Sequence, residues 1–416
     1  MEPVQAALSN KKNYLYLLLV VFVGFLVFGF SENIKGPAIP KIQQDFKLDE
    51  FQIGTLLSFN SLGYLLACSF TGILSRKLGL KLTCLLAFGS MVLSGVLIAY
   101  SSHFLSFSAS YFFMYIGNGM LEIALAILGA KIFIKNTGMM MNLSHFFYGL
   151  SSIAAPILAS VLMGAPWQGD VLGWRGMYVF MLALSLLPMI PSLLARFPVE
   201  ETDSHEQASL RTFVRDPIAW LIVVILSFGV ISELSIGSWL VNFLEKAYQW
   251  DLPKASGMLS LFFLCFTFAR LVLGSLTDKI GFILSLVWFS AFSGLCSLVA
   301  IAAGPSGAFL FALAGVGIAP IYPTVMAVLA KRYRKNSDMA ITFTVTMMGI
   351  ASVVGNFLVG AITDGFRTYF TSVYSGETGL VIGLQAGYVF IGSCALFCSI
   401  VSFYLYRRLK RQDDLL

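Results

Sequence analysis

Charge is scarce in this chain. Only 12% of its 416 residues are Asp, Glu, Lys or Arg, against about a quarter in a soluble globular protein. So few charges cannot cover a water-facing surface, which excludes a soluble domain of this size. Histidine is rarer still, with three in the chain, and none sits in a zinc-binding spacing. No Gly-rich phosphate loop ending in Lys-Ser/Thr occurs, and no Gly-x-Ser-x-Gly elbow. The chain therefore does not read as an enzyme and implies no cofactor or metal. The six cysteines, Cys68, Cys84, Cys265, Cys296, Cys394 and Cys398, all fall in apolar stretches. They read as packing residues, not as a disulfide framework. The apolar/polar alternation of a membrane β-barrel is also missing.

What is present is apolar length. Stretches of about 20 residues, enough to cross a bilayer as a helix, recur along the whole chain. The reading gives twelve: 14–38, 52–74, 80–99, 104–132, 142–164, 174–195, 217–243, 255–276, 282–303, 305–330, 338–362 and 379–405. The ninth and tenth are parted only by Gly304-Pro305-Ser306-Gly307. This is an all-α, multi-pass membrane protein. The first run follows Lys11 and Lys12 without a cleavage site and reads as an uncleaved span.

With a cytoplasmic N-terminus, inside segments hold 19 of the 27 basic residues and outside loops six, Lys41, Lys47, Arg175, Lys246, Lys254 and Arg367. Lys35 and Arg270 fall within spans. That bias places both termini in the cytoplasm, with the chain in the plasma membrane. The net charge of +6 lies between spans and is no nucleic-acid signature.

The two halves repeat. GILSRKLG (72–79) matches GSLTDKIG (274–281), and YGLSSIAAPILASVLMG (148–164) matches MGIASVVGNFLVGAITD (348–364). Ser31-Glu32 matches Ser232-Glu233, and Gly117-Asn118-Gly119 matches Gly315-Val316-Gly317. All offsets lie between 198 and 202. A duplicated six-helix unit explains them, and its even span count makes the repeats parallel. The expected division is a bundle over 1–196, a hydrophilic cytoplasmic linker over 197–216 and a second bundle over 217–416.

The short loop GxxxDKxG after the eighth span, with its imperfect copy after the second, resembles the loop signature of the major facilitator superfamily. Gly72, Lys77, Gly79, Gly274, Asp278 and Lys279 carry it, with Arg76 where the first copy loses its acid. Its glycines are expected to let helices approach closely, and its charges to bond helix ends. Within that superfamily, IPKIQQDFKLDEFQIG (39–54) and GYLLACSFTGILSRKLGLK (63–81) resemble the fucose:proton symporter family. So do Leu121-Glu122-Ile123-Ala124, the run Asn142 to Gly149, and SELSIGSWLVNFLEKAY (232–248). The resemblance implies a monomeric twelve-helix carrier of a hexose or 6-deoxyhexose that alternates access and uses protons. Two positions depart from the family pattern: Gly36 stands for an Asp in the first span, and Tyr148 for an Asn in the fifth.

A charge at mid-bilayer costs roughly 2.5–3.5 kcal/mol on insertion scales, so each one needs a reason. Glu122, about fifteen residues into its span, is either the proton carrier or a neutral acid bonded between helices. Glu32 and Lys35, three apart, share a helix face. They form either a cavity pair assisting Glu122 or a structural pair near the helix end. Asn33 lies in the same turn as the helix-disrupting Gly36-Pro37. Glu233, Trp239 and Asn242 suit a sugar, with paired polar atoms beside an apolar plate. His145 and Tyr148, one turn apart, and Tyr322, Thr324 and Asn356 from the second half are further polar candidates. Arg270, four residues before Gly274, reads as structural, paired with Asp278 or with a helix C-terminus.

The expected function is proton-coupled symport of a small polar solute, foremost a monosaccharide. The alternatives are a proton-driven exporter of drugs or amphiphiles, a sodium-coupled sugar carrier and, in a different class, a membrane sensor.

Overall fold

The computed structural model describes residues 10–133, 137–167, 169–198, 211–333 and 337–411. Among them, twelve helices are long and apolar enough to cross a membrane. The first six spans are Lys11–Phe46, Glu50–Leu78, Leu80–Ala99, Phe104–Ile132, Leu143–Gly164 and Gly173–Leu194. The last six are Pro217–Tyr248, Leu252–Gly274, Phe282–Gly307, Phe309–Arg332, Met339–Val373 and Gly376–Arg411. The third and fourth match the sequence reading to the residue. The seventh, eleventh and twelfth run several residues beyond it, because helix continues into polar ends such as Asp364 to Arg367, where hydropathy has already fallen. The tenth starts at Phe309, since Gly304–Gly307 forms a 3-10 turn opened by Gly304 at φ 65°.

The described residues fall into two compact units, one within Met1–Lys47 and Phe59–Ser204, the other within Leu48–Ser58 and His205–Leu416. The first residues of the second span, 48–58, group with the second unit.

Backbone geometry repeats between the halves more strictly than sequence does. Lys47 (φ 53°) and Gln249 (φ 55°) are the non-glycine residues at positive φ among those described, and they lie 202 positions apart. Each closes its helix in the left-handed conformation and donates its N–H back into the last turn. Gly79 (φ 83°) and Gly281 (φ 95°), also 202 apart, make the next pair of turns. Glycine serves there because L side chains resist that φ. It does not serve close packing, as a Cβ on Gly72, Gly79 or Gly274 would meet nothing within 4 Å. The close approaches occur instead at the GNG and GVG repeat. A Cβ on Gly119 would stand 2.6 Å from the Tyr64 carbonyl oxygen, and one on Gly317 would stand 2.3 Å from that of Phe289. Both obstacles are backbone, so neither can swing aside. Gly317→Ala is therefore expected to destabilise the second unit by about 1–3 kcal/mol, the usual cost of overpacking. The readout is the thermal midpoint of purified protein in detergent; an unchanged midpoint would mean the contact is slack.

Among the described residues three spans are broken, and the sixth divides into Gly173–Ala183 and Leu186–Leu194. The first divides into Lys11–Asn33 and Lys35–Phe46 about Ile34. The break precedes the expected Gly36-Pro37 by two residues, because Pro37 lacks the N–H that would bond the carbonyl four positions back, at Asn33. The tenth divides into Phe309–Ile318 and Ile321–Arg332. There Pro320 and Pro323 leave the Val316 and Ala319 carbonyls without helical donors.

The seventh span is anchored at its start. Asp216 caps it by accepting from Ile218 N at 2.8 Å, and its other oxygen takes the Tyr333 hydroxyl. Burial, and then the bond to Asp216, holds that phenol well above the ordinary tyrosine range. Phe213 packs on Tyr333 edge to face at 5.3 Å and stacks on Phe343 at 6.2 Å. These contacts tie the end of the linker to the tenth and eleventh spans. All six cysteines are free thiols.

Candidate functional site

Each unit carries one charged cluster in mid-span. In the first unit the fourth span places Tyr111, Tyr115, Asn118 and Glu122 at intervals of four, three and four residues, a polar stripe on one helix face. Asn118 is fully buried. It accepts from Ser31 Oγ at 2.6 Å and donates to Glu32 Oε2 at 3.3 Å. The other Glu32 oxygen is paired with Lys35, whose ammonium lies 5.5 Å over the Tyr115 ring. The break at Ile34 separates Glu32 from Lys35 in the backbone, yet the three-residue spacing still brings their side chains together. Asn33, on the neighbouring face, donates to Gly29 O at 2.8 Å and to Ser152 Oγ at 2.9 Å.

Glu122 differs from its neighbours. It is half-buried, lies within Coulomb range of Glu32, and makes no hydrogen bond or ion pair among the described residues. His145 and Tyr148 face the first span, with rings 5.1 Å from Phe25 and from Phe28 respectively. A Cβ on Gly29 would stand 2.6 Å from Tyr148 O, so backbone meets backbone where these spans cross.

In the second unit Glu233, the repeat partner of Glu32, pairs with Arg270 at 3.9 Å. Arg270 Nε donates to Ala319 O at 3.1 Å, the carbonyl that Pro323 leaves free, and the guanidinium lies 4.3 Å over the Phe266 ring. Of its two expected partners the helix C-terminus is realised and Asp278 is not. The eighth span turns Arg270 inward toward the broken tenth, while Asp278 lies at the exposed end. Lys77, Asp278 and Lys279 are all exposed and make no ion pair or side-chain hydrogen bond among the described residues. Trp239 and Asn242 are 1% and 0% exposed, and the indole N–H and both amide atoms of Asn242 have no hydrogen-bond partner. Asn356 and Thr324 are buried and Tyr322 is half-buried.

The sequence reading used Gly117-Asn118-Gly119 only as a repeat and did not single out Asn118, which bonds both Ser31 and Glu32. The signal was available: an amide one turn before Glu122, inside an apolar run. It also placed Lys246 and Arg367 in loops, although both meet Glu50 in the second unit.

Twelve candidate spans in two units, each unit with an ion pair among its spans, are the arrangement of a multi-pass membrane protein. The chain belongs to the Major Facilitator Superfamily, whose family model matches residues 21–355 and 233–415. It is a transporter, not an enzyme. It is 22% identical over 392 residues to the L-fucose-proton symporter of Escherichia coli (strain K12), across 85% of this chain and 89% of that protein. Among solved structures it resembles a bacterial homolog of the human lysosomal transporter Spinster (TM-score 0.83, 14% identity, 98% of this chain and 99% of the other). It also resembles the D-xylose-proton symporter (TM-score 0.73, 12% identity, 94% and 97%). These structural likenesses establish the fold.

Proposed function

We propose that this transporter is a symporter that carries a small polar solute together with a proton, and that the solute is a monosaccharide. The observation that carries the reading is the pairing of charges. Glu32 has Lys35 and Glu233 has Arg270, whereas Glu122, inside the fourth span, has no cation among the described residues. A carboxylate left alone in low dielectric lowers its energy by taking up a proton, and releases it when water reaches it. Glu122 is thus the proposed proton site. Glu32, paired with Lys35 and bonded by Asn118, is the neighbouring acid that assists it.

The solute assignment draws support from the symporters of L-fucose and D-xylose among the similar proteins. In the first unit Asn33, Lys35, His145 and Tyr148 are the proposed solute contacts. In the second they are Glu233, Trp239, Asn242, Tyr322 and Asn356. The unpartnered Trp239 and Asn242 atoms are groups from which sugar hydroxyls would recover lost hydrogen bonds. Reaching them requires neighbouring helices to part, as alternating access demands. In the proposed topology both termini are cytoplasmic, and the chain works as a monomer.

Proteoliposomes with an imposed inward proton gradient test the reading, with radiolabelled L-fucose and D-xylose as probes. Accumulation above the equilibrium level is expected with the gradient and not without it. Equal uptake under both conditions, or dependence on sodium alone, would remove proton coupling.

A further inference from the structure

The polar stripe of the fourth span belongs to one half only. At the offset of 198 that aligns Gly117-Asn118-Gly119 with Gly315-Val316-Gly317, its members Tyr111, Tyr115, Asn118 and Glu122 match Phe309, Leu313, Val316 and Pro320. The scaffold thus builds a fourth span without any of these polar groups, and their presence in the first unit calls for a task. Three of them have one. Tyr111 shares a hydrogen bond with the Tyr178 hydroxyl of the sixth span at 2.9 Å, and both side chains are fully buried. Asn118 bonds Ser31 and Glu32, and Glu122 is the proposed proton site. Tyr115 is left over.

Tyr115 is 4% exposed, and its hydroxyl has no hydrogen-bond partner. A buried hydroxyl in that state costs stability that a phenylalanine would not. The ring is held from two sides. It meets Tyr111 edge to face at 5.3 Å and lies under the Lys35 ammonium at 5.5 Å. Phenylalanine would keep both contacts, since neither uses the oxygen. That oxygen lies within Coulomb range of Glu32 and of Tyr148, the latter a proposed solute contact. All of these residues belong to the first unit. The chain therefore fixes a neutral donor and acceptor beside an ion pair and gives it nothing in the protein to bond.

We propose that Tyr115 is a specificity-determining residue whose hydroxyl bonds a hydroxyl of the solute. The inference rests on the carrier reading above. A phenol that both donates and accepts suits an uncharged sugar hydroxyl, and an analogue lacking that hydroxyl would leave the phenol unpaired again. Two tyrosine-to-phenylalanine proteins test it. In detergent and without solute, Tyr115→Phe is expected to keep or raise the thermal midpoint, by up to about 4 °C, because no bond is lost. Tyr111→Phe is expected to lower it by about as much, because it strands the Tyr178 hydroxyl. A fall for Tyr115→Phe matching that of Tyr111→Phe would make the hydroxyl part of the bundle and overturn the proposal. Counterflow of L-fucose and D-xylose in proteoliposomes supplies the second readout. For a sugar the parent carries, Tyr115→Phe is expected to raise the half-saturation concentration about three- to tenfold, the loss of one hydrogen bond, with the maximal rate little changed. An unchanged half-saturation concentration would also overturn it. If the parent carries neither sugar, the monosaccharide reading falls, and the two midpoints alone decide whether the bundle has any use for the Tyr115 hydroxyl.

Discussion

Replacing Glu122 with Gln is expected to abolish proton-driven accumulation while leaving solute exchange intact. Glutamine keeps the size and hydrogen-bonding capacity of the protonated acid, so it mimics the loaded state. What it loses is the proton. Coupling one proton to a gradient of two pH units supplies about 2.7 kcal/mol, or roughly a hundredfold accumulation with no membrane potential. A carrier fixed in the protonated form has no access to that energy. It can still pass solute in both directions, because exchange never requires the proton to leave. Counterflow and gradient-driven uptake, measured on the same vesicles, therefore separate. Retention of full accumulation by the Gln protein would remove Glu122 from the coupling step. Loss of counterflow as well would mean that Glu122 acts on the solute or on folding.

The second large effect concerns Lys35. Glu32→Gln removes its partner and leaves an ammonium that is 7% exposed inside the first unit. Breaking a buried pair from one side costs about 3–5 kcal/mol, more than the intact pair contributes, because the remaining charge is stranded. The other contact of the ammonium is the Tyr115 ring, 5.5 Å away, which is not an anion. Glu32→Gln with Lys35→Met removes both charges and is expected to recover most of the thermal stability lost by Glu32→Gln alone. If the double replacement is no more stable than the single one, Lys35 is not the stranded group. The same pair of proteins also bears on coupling. A recovered double variant that still accumulates solute would limit Glu32 to biasing Glu122, with no proton of its own.

Much of this architecture was readable from residue order. Twelve apolar runs define the spans because a bilayer demands both length and apolarity. The Ser-Glu repeat predicts that Glu32 and Glu233 are equivalent, and both meet cations. The three-residue spacing of Glu32 and Lys35 predicts their contact. Partners on different helices were not readable. Nothing local tells that Arg270 reaches Glu233 and the Ala319 carbonyl, or that Lys246 and Arg367 converge on Glu50. Those contacts depend on how helices pack, and the sequence encodes packing only diffusely. The glycines show the same limit. Gly72 and Gly274 carry the loop signature yet face open space, whereas Gly119 and Gly317 meet backbone. Composition marks a glycine but not the neighbour that makes it necessary.

The breaks at Ile34 and at Ala319-Pro320 are not in repeat partners: one falls in the first helix of its half and the other in the fourth helix of its half. A protein assembled from two copies of the first half would inherit matched left-handed turns and two lone acids at the positions of Glu122 and Pro320. It would have no arginine at position 270 and no counterpart of Pro320 and Pro323 in its tenth span. Such a twin would keep the scaffold's symmetry and lose its division of labour. Duplication set the frame, and divergence at a few prolines and charges made one copy the proposed seat of the proton and the other the seat of the kinked tenth helix.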